Sequence, residues 1–272
     1  MRRPAAGGRA ALALAALLAL VGCRTLAPSV APLPAGDGRP AELLRGLAVL
    51  AAERSALRAS ARVSIEGERR ASFARQLLLL ERPARLRLEV MGVLGQRVAV
   101  LATDGSQYDL YRAERPGIES GEVHPGILWE VAGLALTPEE AVQLALGAPL
   151  APAETPSIAG SAALPEGGVR VELGYRAGDL RRTLEFDAGA ALRRYAVFDP
   201  AGALVLEARY GDYRDVGGSR FAHEIAVELP AAASRAEIRF QWVELNPELP
   251  DELFRLPTRS PVSGAPWRRS AS

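Results

Sequence analysis

From Ser60 onward, the feature that most narrows the possible fold is an alternation of apolar and polar residues with a period of two. Ala61, Val63 and Ile65 alternate with Arg62, Ser64 and Glu66, and Leu86, Leu88 and Val90 alternate with Arg85, Arg87 and Glu89. Successive side chains of a strand point to opposite faces, so the pattern specifies strands with one wet face. Strand-like runs continue in the second half at Val169 to Tyr175, Arg181 to Phe186, Leu192 to Phe198, Leu204 to Tyr213, Phe221 to Leu229 and Ala236 to Leu245. Gly-Asp, Asp-Pro-Ala-Gly and Val-Gly-Gly-Ser clusters separate them, which is the spacing of an antiparallel meander. Gln76 to Leu80 and Val98 to Ala102 are apolar on both faces, so something is expected to cover both sides of the sheet there. Asp104-Gly105 marks a tight turn between Val98 to Thr103 and Gln107 to Tyr111.

Two passages depart from this period. Ala41 to Arg58 sets Leu43, Leu47, Leu50 and Leu57 at helical spacing, with Glu42, Arg45 and Glu53 off that stripe. In the middle of the chain His124 to Leu134 reads as helical. Thr137-Pro138-Glu139-Glu140 then reads as a helix start, with threonine as N-cap, proline first and glutamate third. That helix should stop near Gly147 to Pro149, and a Pro/Ala-rich passage from Ala148 to Pro165 returns to strands. The expected fold class is mostly β with helices (α+β): one antiparallel sheet curled around helices, with two smaller domains as the alternative.

The N-terminus has the order of an export signal: Met1-Arg2-Arg3, an apolar run from Ala10 to Val21, then Gly22-Cys23. A run of about a dozen residues is short of the roughly 20 that span a bilayer, so a removable signal is expected. Leu20-Val21-Gly22-Cys23 resembles the lipobox of bacterial lipoproteins, and Cys23 is the only cysteine of the 272 residues. Only a thiol can carry the thioether-linked diacylglycerol, and a small Gly22 opens the scissile bond to the peptidase. An ordinary signal peptide with an incidental cysteine is the alternative. A lone cysteine makes no intramolecular disulfide, so the exported domain must be held by its core. Residues 24 to 40 carry four prolines and two glycines without an apolar period, which is the composition of a linker. The expected layout is a signal peptide over 1–22, the lipidated Cys23 and linker over 23–40, a domain over 41–257 and a polar tail over 258–272, where Trp267-Arg268-Arg269 offers a surface contact.

The order of lipobox, linker, amphipathic helix, strands, central helices and strands resembles the LolA/LolB lipoprotein-carrier superfamily. The most specific stretch runs from Arg85 to Leu101, followed by Asp104-Gly105. It is similar to a segment in which a strand ends in a Pro-Leu-Gly turn whose leucine projects into solvent. Here Leu94 takes the leucine's place and Val93 the proline's, in Gly92-Val93-Leu94-Gly95. The ending from Asn246 to Pro257 is also similar to the close of lipoprotein-sorting domains, where a leucine/phenylalanine pair tucks back under the sheet. The resemblance implies a half-open antiparallel β-barrel lidded by α-helices around a cavity that holds acyl chains. It implies a lipid-anchored protein on the periplasmic face of the outer membrane, consistent with Arg24 where an aspartate would signal retention in the inner membrane. Its partners would be membrane lipid, client lipoproteins and a soluble periplasmic LolA-like carrier. Two other readings stay open: a structural or assembly lipoprotein that docks proteins on the same barrel, and an envelope-stress sensor of lipid.

The candidate site follows from both readings. Val93 and Leu94 form a membrane-inserting loop, or else fold back over the core. Leu77, Leu79, Leu86, Leu88, Val90, Val98, Val100, Trp129, Ile225, Val227, Ile238, Phe240 and Trp242 line the cavity, or else fill a core that buries the same residues. Neither His124 nor His223 has a third ligand at metal spacing, Ser120 and Ser106 lack a nucleophile elbow, and no phosphate-binding glycine loop follows a strand. No catalysis, no metal and no cofactor beyond the acyl groups on Cys23 are therefore expected. The formal net charge of +1 gives no reason to expect nucleic acid.

Overall fold

The computed structural model describes residues 31–67, 71–150, 156–174 and 179–257, with the side chains of 71–74 excepted. Cys23, the lipobox residues Leu20, Val21 and Gly22, and the tail 258–272 lie outside the described residues. Helix α1 covers Arg39–Glu53, then come strands β1 (Ala56–Glu66), β2 (Ala71–Glu81), β3 (Arg85–Met91), β4 (Arg97–Thr103), β5 (Gln107–Arg112) and β6 (Ile118–Glu122). Two short helices follow, α2 (Ile127–Ala132) and α3 (Pro138–Ala145). The second series is β7 (Ile158–Ala163), β8 (Val169–Leu173), β9 (Arg181–Phe186), β10 (Leu192–Phe198), β11 (Leu204–Val216), β12 (Ser219–Leu229) and β13 (Ser234–Leu245).

All 13 strands share one open sheet in the order β6-β5-β4-β3-β2-β1-β13-β12-β11-β10-β9-β8-β7. Each neighbour is antiparallel, and the two halves of the chain join where β1 pairs with β13. The sheet therefore unites both series, and the two-domain alternative falls away. The three helices lie on one face. Leu44, Leu47 and Ala51 of α1, Ile127 and Leu128 of α2, and Val142 and Leu144 of α3 share a core with Leu57, Ala59, Ala61 and Val63 of β1. Helix α3 packs on β3, while Tyr210 of β11 donates its hydroxyl to the Leu144 carbonyl at 3.3 Å. Those strands stand five places apart, about 24 Å in a flat sheet, and a helix is about 10 Å wide. The sheet must curl around α3 for both contacts to be made.

Local chemistry explains the helix ends. Thr137 Oγ1 accepts the Glu140 N–H at 3.2 Å and Glu140 reaches back to the Thr137 N–H at 2.9 Å, a complete capping box. Helix α1 starts at Arg39 and stops before Arg54. There Asn246, at φ 53°, accepts the Ser55 N–H at 3.0 Å and donates to the Glu53 carbonyl at 2.8 Å. Two expectations from composition move. The linker ends before residue 40, because Pro32 bridges to Ala162 and the Leu33 N–H bonds to the Ser161 carbonyl at 3.2 Å. Part of the Pro/Ala-rich passage is the edge strand β7.

Candidate functional site

The lid of the sheet is held by donors aimed at the carbonyl ends of helices. Arg82 sends Nε to the Arg54 carbonyl at 3.0 Å, just past α1. It sends Nη1 to Leu150 at 3.0 Å and Nη2 to Ala148 at 2.7 Å, just past α3. Arg54 adds Nη1 to the Leu146 carbonyl at 3.2 Å and Nη2 to the Arg220 carbonyl at 2.7 Å and Ser219 Oγ at 2.9 Å. Ser234 Oγ holds the Gly133 carbonyl at the end of α2, at 2.9 Å. The last carbonyls of a helix lack intrahelical partners and carry its partial negative charge, so they suit guanidinium donors. Burial pushes both the Arg54 and the Arg82 guanidinium below their ordinary pKa, and neither forms an ion pair with a carboxylate among the described residues. The helices are thus secured by apolar packing and by a few polar bonds to backbone at their ends.

A half-open cavity of about 550 Å³ lies along the flank of α1, against the turn between β9 and β10 and the neighbouring strands. Its helix wall is the stripe Leu43, Gly46, Leu47 and Leu50, and its sheet wall includes Val169, Phe186 and Leu192. Arg54, Tyr213 and Arg220 also line it.

At another point the hairpin between β3 and β4 presents Val93 and Leu94, which are 97% and 92% exposed. The Gly95 N–H bonds to the Gly92 carbonyl at 2.9 Å, closing a β-turn with these two residues at its corners. Corner side chains of so tight a turn point away from the strands. Gly95 has φ +80°, so the turn requires glycine there, whereas a Cβ on Gly92 would meet only the flexible amide end of Gln96. The alternative in which Val93 and Leu94 fold back over the core does not occur.

The thirteen residues expected to line a cavity divide by face. Leu86, Ile225, Val227 and Phe240 are buried in the main core, with Leu88 and Ile238 packed against it, but none of the thirteen lines the cavity beside α1. Val90 and Trp129 are half-buried. Leu77, Leu79, Val98 and Val100 are one residue out of phase. The residues of β2 and β4 that face the helices are Leu78, Leu80 and Leu101, and Leu77 and Leu79 stand opposite Glu89 and Arg87 on the other face. Val98 is 40% exposed because it is the extra residue in a bulge where Met91 pairs with Arg97 and Val90 with Ala99. Trp242, 37% exposed, is turned out by a second bulge, since Ser60 pairs with Trp242 but Ala61 with Phe240.

The cover expected over the second face is the C-terminal strap. The 3-10 turn Asp251–Phe254 lies across β3 and β4, and Phe254 is fully buried with the Arg85 guanidinium 4.2 Å from its ring centroid. Leu256 packs with Val100 and Ala102. Arg87 donates to the Leu253 carbonyl at 2.8 Å, and Asp109 accepts Arg255 Nε and the Leu256 N–H, both at 2.9 Å. Burial raises the Asp109 pKa, but the bonds from Arg255, Ser120 and Leu256 outweigh it and hold the group below the ordinary carboxylate value. Asp104 is held at about 2: desolvation opposes ionisation, and the N–H groups of Gln107 and Ser106 with the side chains of Ser106 and Arg255 overcome it. The sequence showed an unexplained apolar second face but no signal for Arg54 or Arg82, whose partners are backbone carbonyls.

His223 is buried in β12 with Nδ1 3.2 Å from the Phe221 carbonyl, and His124 lies 3.7 Å from Glu130. No cluster of three metal-ligating side chains occurs among the described residues. Among the same residues no helix is long and apolar enough to cross a membrane.

No family model matches the sequence, and no curated protein matches it. Solved structures do. The LolA superfamily protein NE2245 from Nitrosomonas europaea superposes with a TM-score of 0.54 at 10% identity, over 80% of this chain and 97% of that one. A DUF1329 family protein from Desulfovibrio piger gives 0.46 at 13% identity, over 80% and 96%. An outer membrane lipoprotein-sorting protein domain from Vibrio parahaemolyticus gives 0.45 at 10%, over 78% and 94%. The chain shares the fold of the Nitrosomonas europaea protein: an open antiparallel sheet with helices on one face.

Proposed function

We propose that the protein is an exported lipoprotein, anchored through Cys23 on the periplasmic face of the outer membrane, that receives acyl chains of client lipoproteins and passes them to the bilayer. The observation that carries this reading is the pair Val93 and Leu94, fully exposed at the corners of a glycine-bounded turn. Two such side chains are unfavourable in water, and each gains roughly 1.5 to 3 kcal/mol on entering an apolar phase. The LolA-like fold and the lid held by few polar bonds support the second half of the reading, in which the helices lift to admit a chain. No energy source is required if each successive site binds the chains more tightly than the last.

A reconstitution tests it. Mature lipidated protein in outer-membrane-lipid vesicles is mixed with a client lipoprotein held by a soluble carrier, and client in the floated vesicle fraction is measured. Wild-type protein should transfer the client, and Leu94→Glu should retain acceptance but fail in delivery. Equal delivery by both would remove the tip from the mechanism. The filled core around Ile225, Val227 and Phe240 favours a second reading, an assembly lipoprotein that docks proteins. That protein would transfer nothing in the same assay.

A further inference from the structure

We infer that the groove beside α1 is a site for a single-chain anionic amphiphile, its acyl chain along the helix and its head group at Arg220, in front of the buried Arg54. The inference rests on the reading that the domain holds acyl chains and adds a head-group chemistry to it. The helical lining residues recur at positions 39, 42, 43, 46, 47, 50 and 54, one stripe along the whole of α1, so the cavity is elongated. Fifteen residues of helix give it about 22 Å of length. Its volume lies within the roughly 300 to 1,000 Å³ of small-molecule sites. Leu43 and Leu50 are its half-buried apolar lining, and Leu47, Val169, Phe186 and Leu192 close its floor from the core, so a hydrocarbon chain would rest on apolar side chains.

The ends differ in charge. Near the start of the helix Arg39 is already paired with Asp37 at 2.7 Å, and Glu42 lines the cavity. About 18 Å further along the axis Arg54 is 4% exposed and its buried Nε has no hydrogen-bond partner. Arg220, whose carbonyl Arg54 holds, has its guanidinium 5.4 Å from the Tyr213 ring centroid and no carboxylate partner among the described residues. The carboxylate that lines the cavity nearby, Asp187, accepts the Gly189 and Ala191 N–H groups at 2.9 and 3.0 Å in its own turn. At that end the exposed Arg220 guanidinium, without an ion pair among the described residues, suits a carboxylate or phosphate head, and the buried Arg54 behind it adds positive charge without a free donor on the surface. The diacylglycerol-cysteine of a lipoprotein carries no such charge, so this ligand differs in class from the client.

The test uses the full chain with Cys23→Ala, which keeps every described residue, and titrates oleate, lysophosphatidate and monoolein by displacement of a fluorescent fatty acid. Oleate or lysophosphatidate should bind about 10- to 100-fold more tightly than monoolein, the worth of one charge-assisted hydrogen bond. Whichever anion binds better assigns the head as carboxylate or phosphate. Arg220→Gln, at an exposed position, should weaken the anion about 10-fold and leave monoolein unchanged. Gly46→Leu localises the site: a Cβ there meets open space, and leucine is a better helix former, so the variant folds while its side chain fills the groove. Loss of anion binding in Gly46→Leu is expected. Equal affinity for monoolein and oleate would overturn the head-group assignment while leaving acyl binding intact. Absence of binding by all three, or no effect of Arg220→Gln, would overturn the site, and lipoprotein delivery would still be judged separately by vesicle transfer.

Discussion

Replacing Leu94 by glutamate isolates the contribution of the hairpin tip, because the leucine is 92% exposed. A surface substitution that breaks no packing or bond changes stability by at most about 0.5 kcal/mol, so the melting temperature should stay within about 2 °C for a domain of this size. Membrane association is different. Burial of a leucine contributes roughly 1.5 to 3 kcal/mol, and a 1.4 kcal/mol difference is tenfold in a partition constant. Leu94→Glu should therefore weaken vesicle binding of the Cys23→Ala chain by about 10- to 100-fold. Val93→Ser should add a smaller loss, since Val93 is 97% exposed at the neighbouring corner. The assay is flotation with liposomes at high salt, which screens any contribution from arginines. Undiminished flotation of the double variant would refute the argument that these corners enter lipid.

Three further outcomes are expected. Arg82→Met leaves the carbonyls of Arg54, Ala148 and Leu150 without their donor; it should cost about 2 kcal/mol, lower the melting temperature by about 4 to 8 °C, and raise hydrogen exchange in α1 and α3 more than in the sheet. The strap should loosen in acid. Asp104 and Asp109 have depressed pKa values, so their stabilisation is complete above the ordinary carboxylate pKa and is lost as pH falls toward about 2, where Asp104 titrates. Exchange of the Leu256 amide across that range reports it, and Asp109→Asn should cost about 1.5 to 3 kcal/mol at neutral pH. Cys23→Ala should abolish incorporation of radiolabelled palmitate and release the exported chain from membranes on fractionation.

What could be read from the sequence was what depends on near neighbours. Strand period, the Asp104-Gly105 turn and the Thr137 capping box are local, and the structure has all three. The edge strands β6 and β7 were not legible, because Ile118–Glu122 and Ile158–Ala163 are rich in glycine, serine and alanine and lack an alternating apolar face. Face assignment failed where a segment was apolar on both parities. Leu77 and Leu79 looked like lining residues, yet they lie on the sheet face away from the helices, where Leu256 of the distant strap packs on Val100 and Ala102 of β4. Bulges defeated the same logic at Val98 and Trp242, since one extra residue reverses the phase of everything beyond it. The lid clamp was invisible for a different reason: Arg54 and Arg82 bind main-chain carbonyls, and a carbonyl has no letter in the sequence.

Entry of acyl chains into this domain is the step on which delivery depends. Native mass spectrometry of the Cys23→Ala chain, incubated with a synthetic diacylglyceryl-cysteine lipopeptide, measures that directly. A one-to-one adduct that survives gentle desolvation is expected, and none should form with the same peptide lacking acyl chains. A chain that stays free at every lipopeptide concentration, while remaining folded, would contradict that entry.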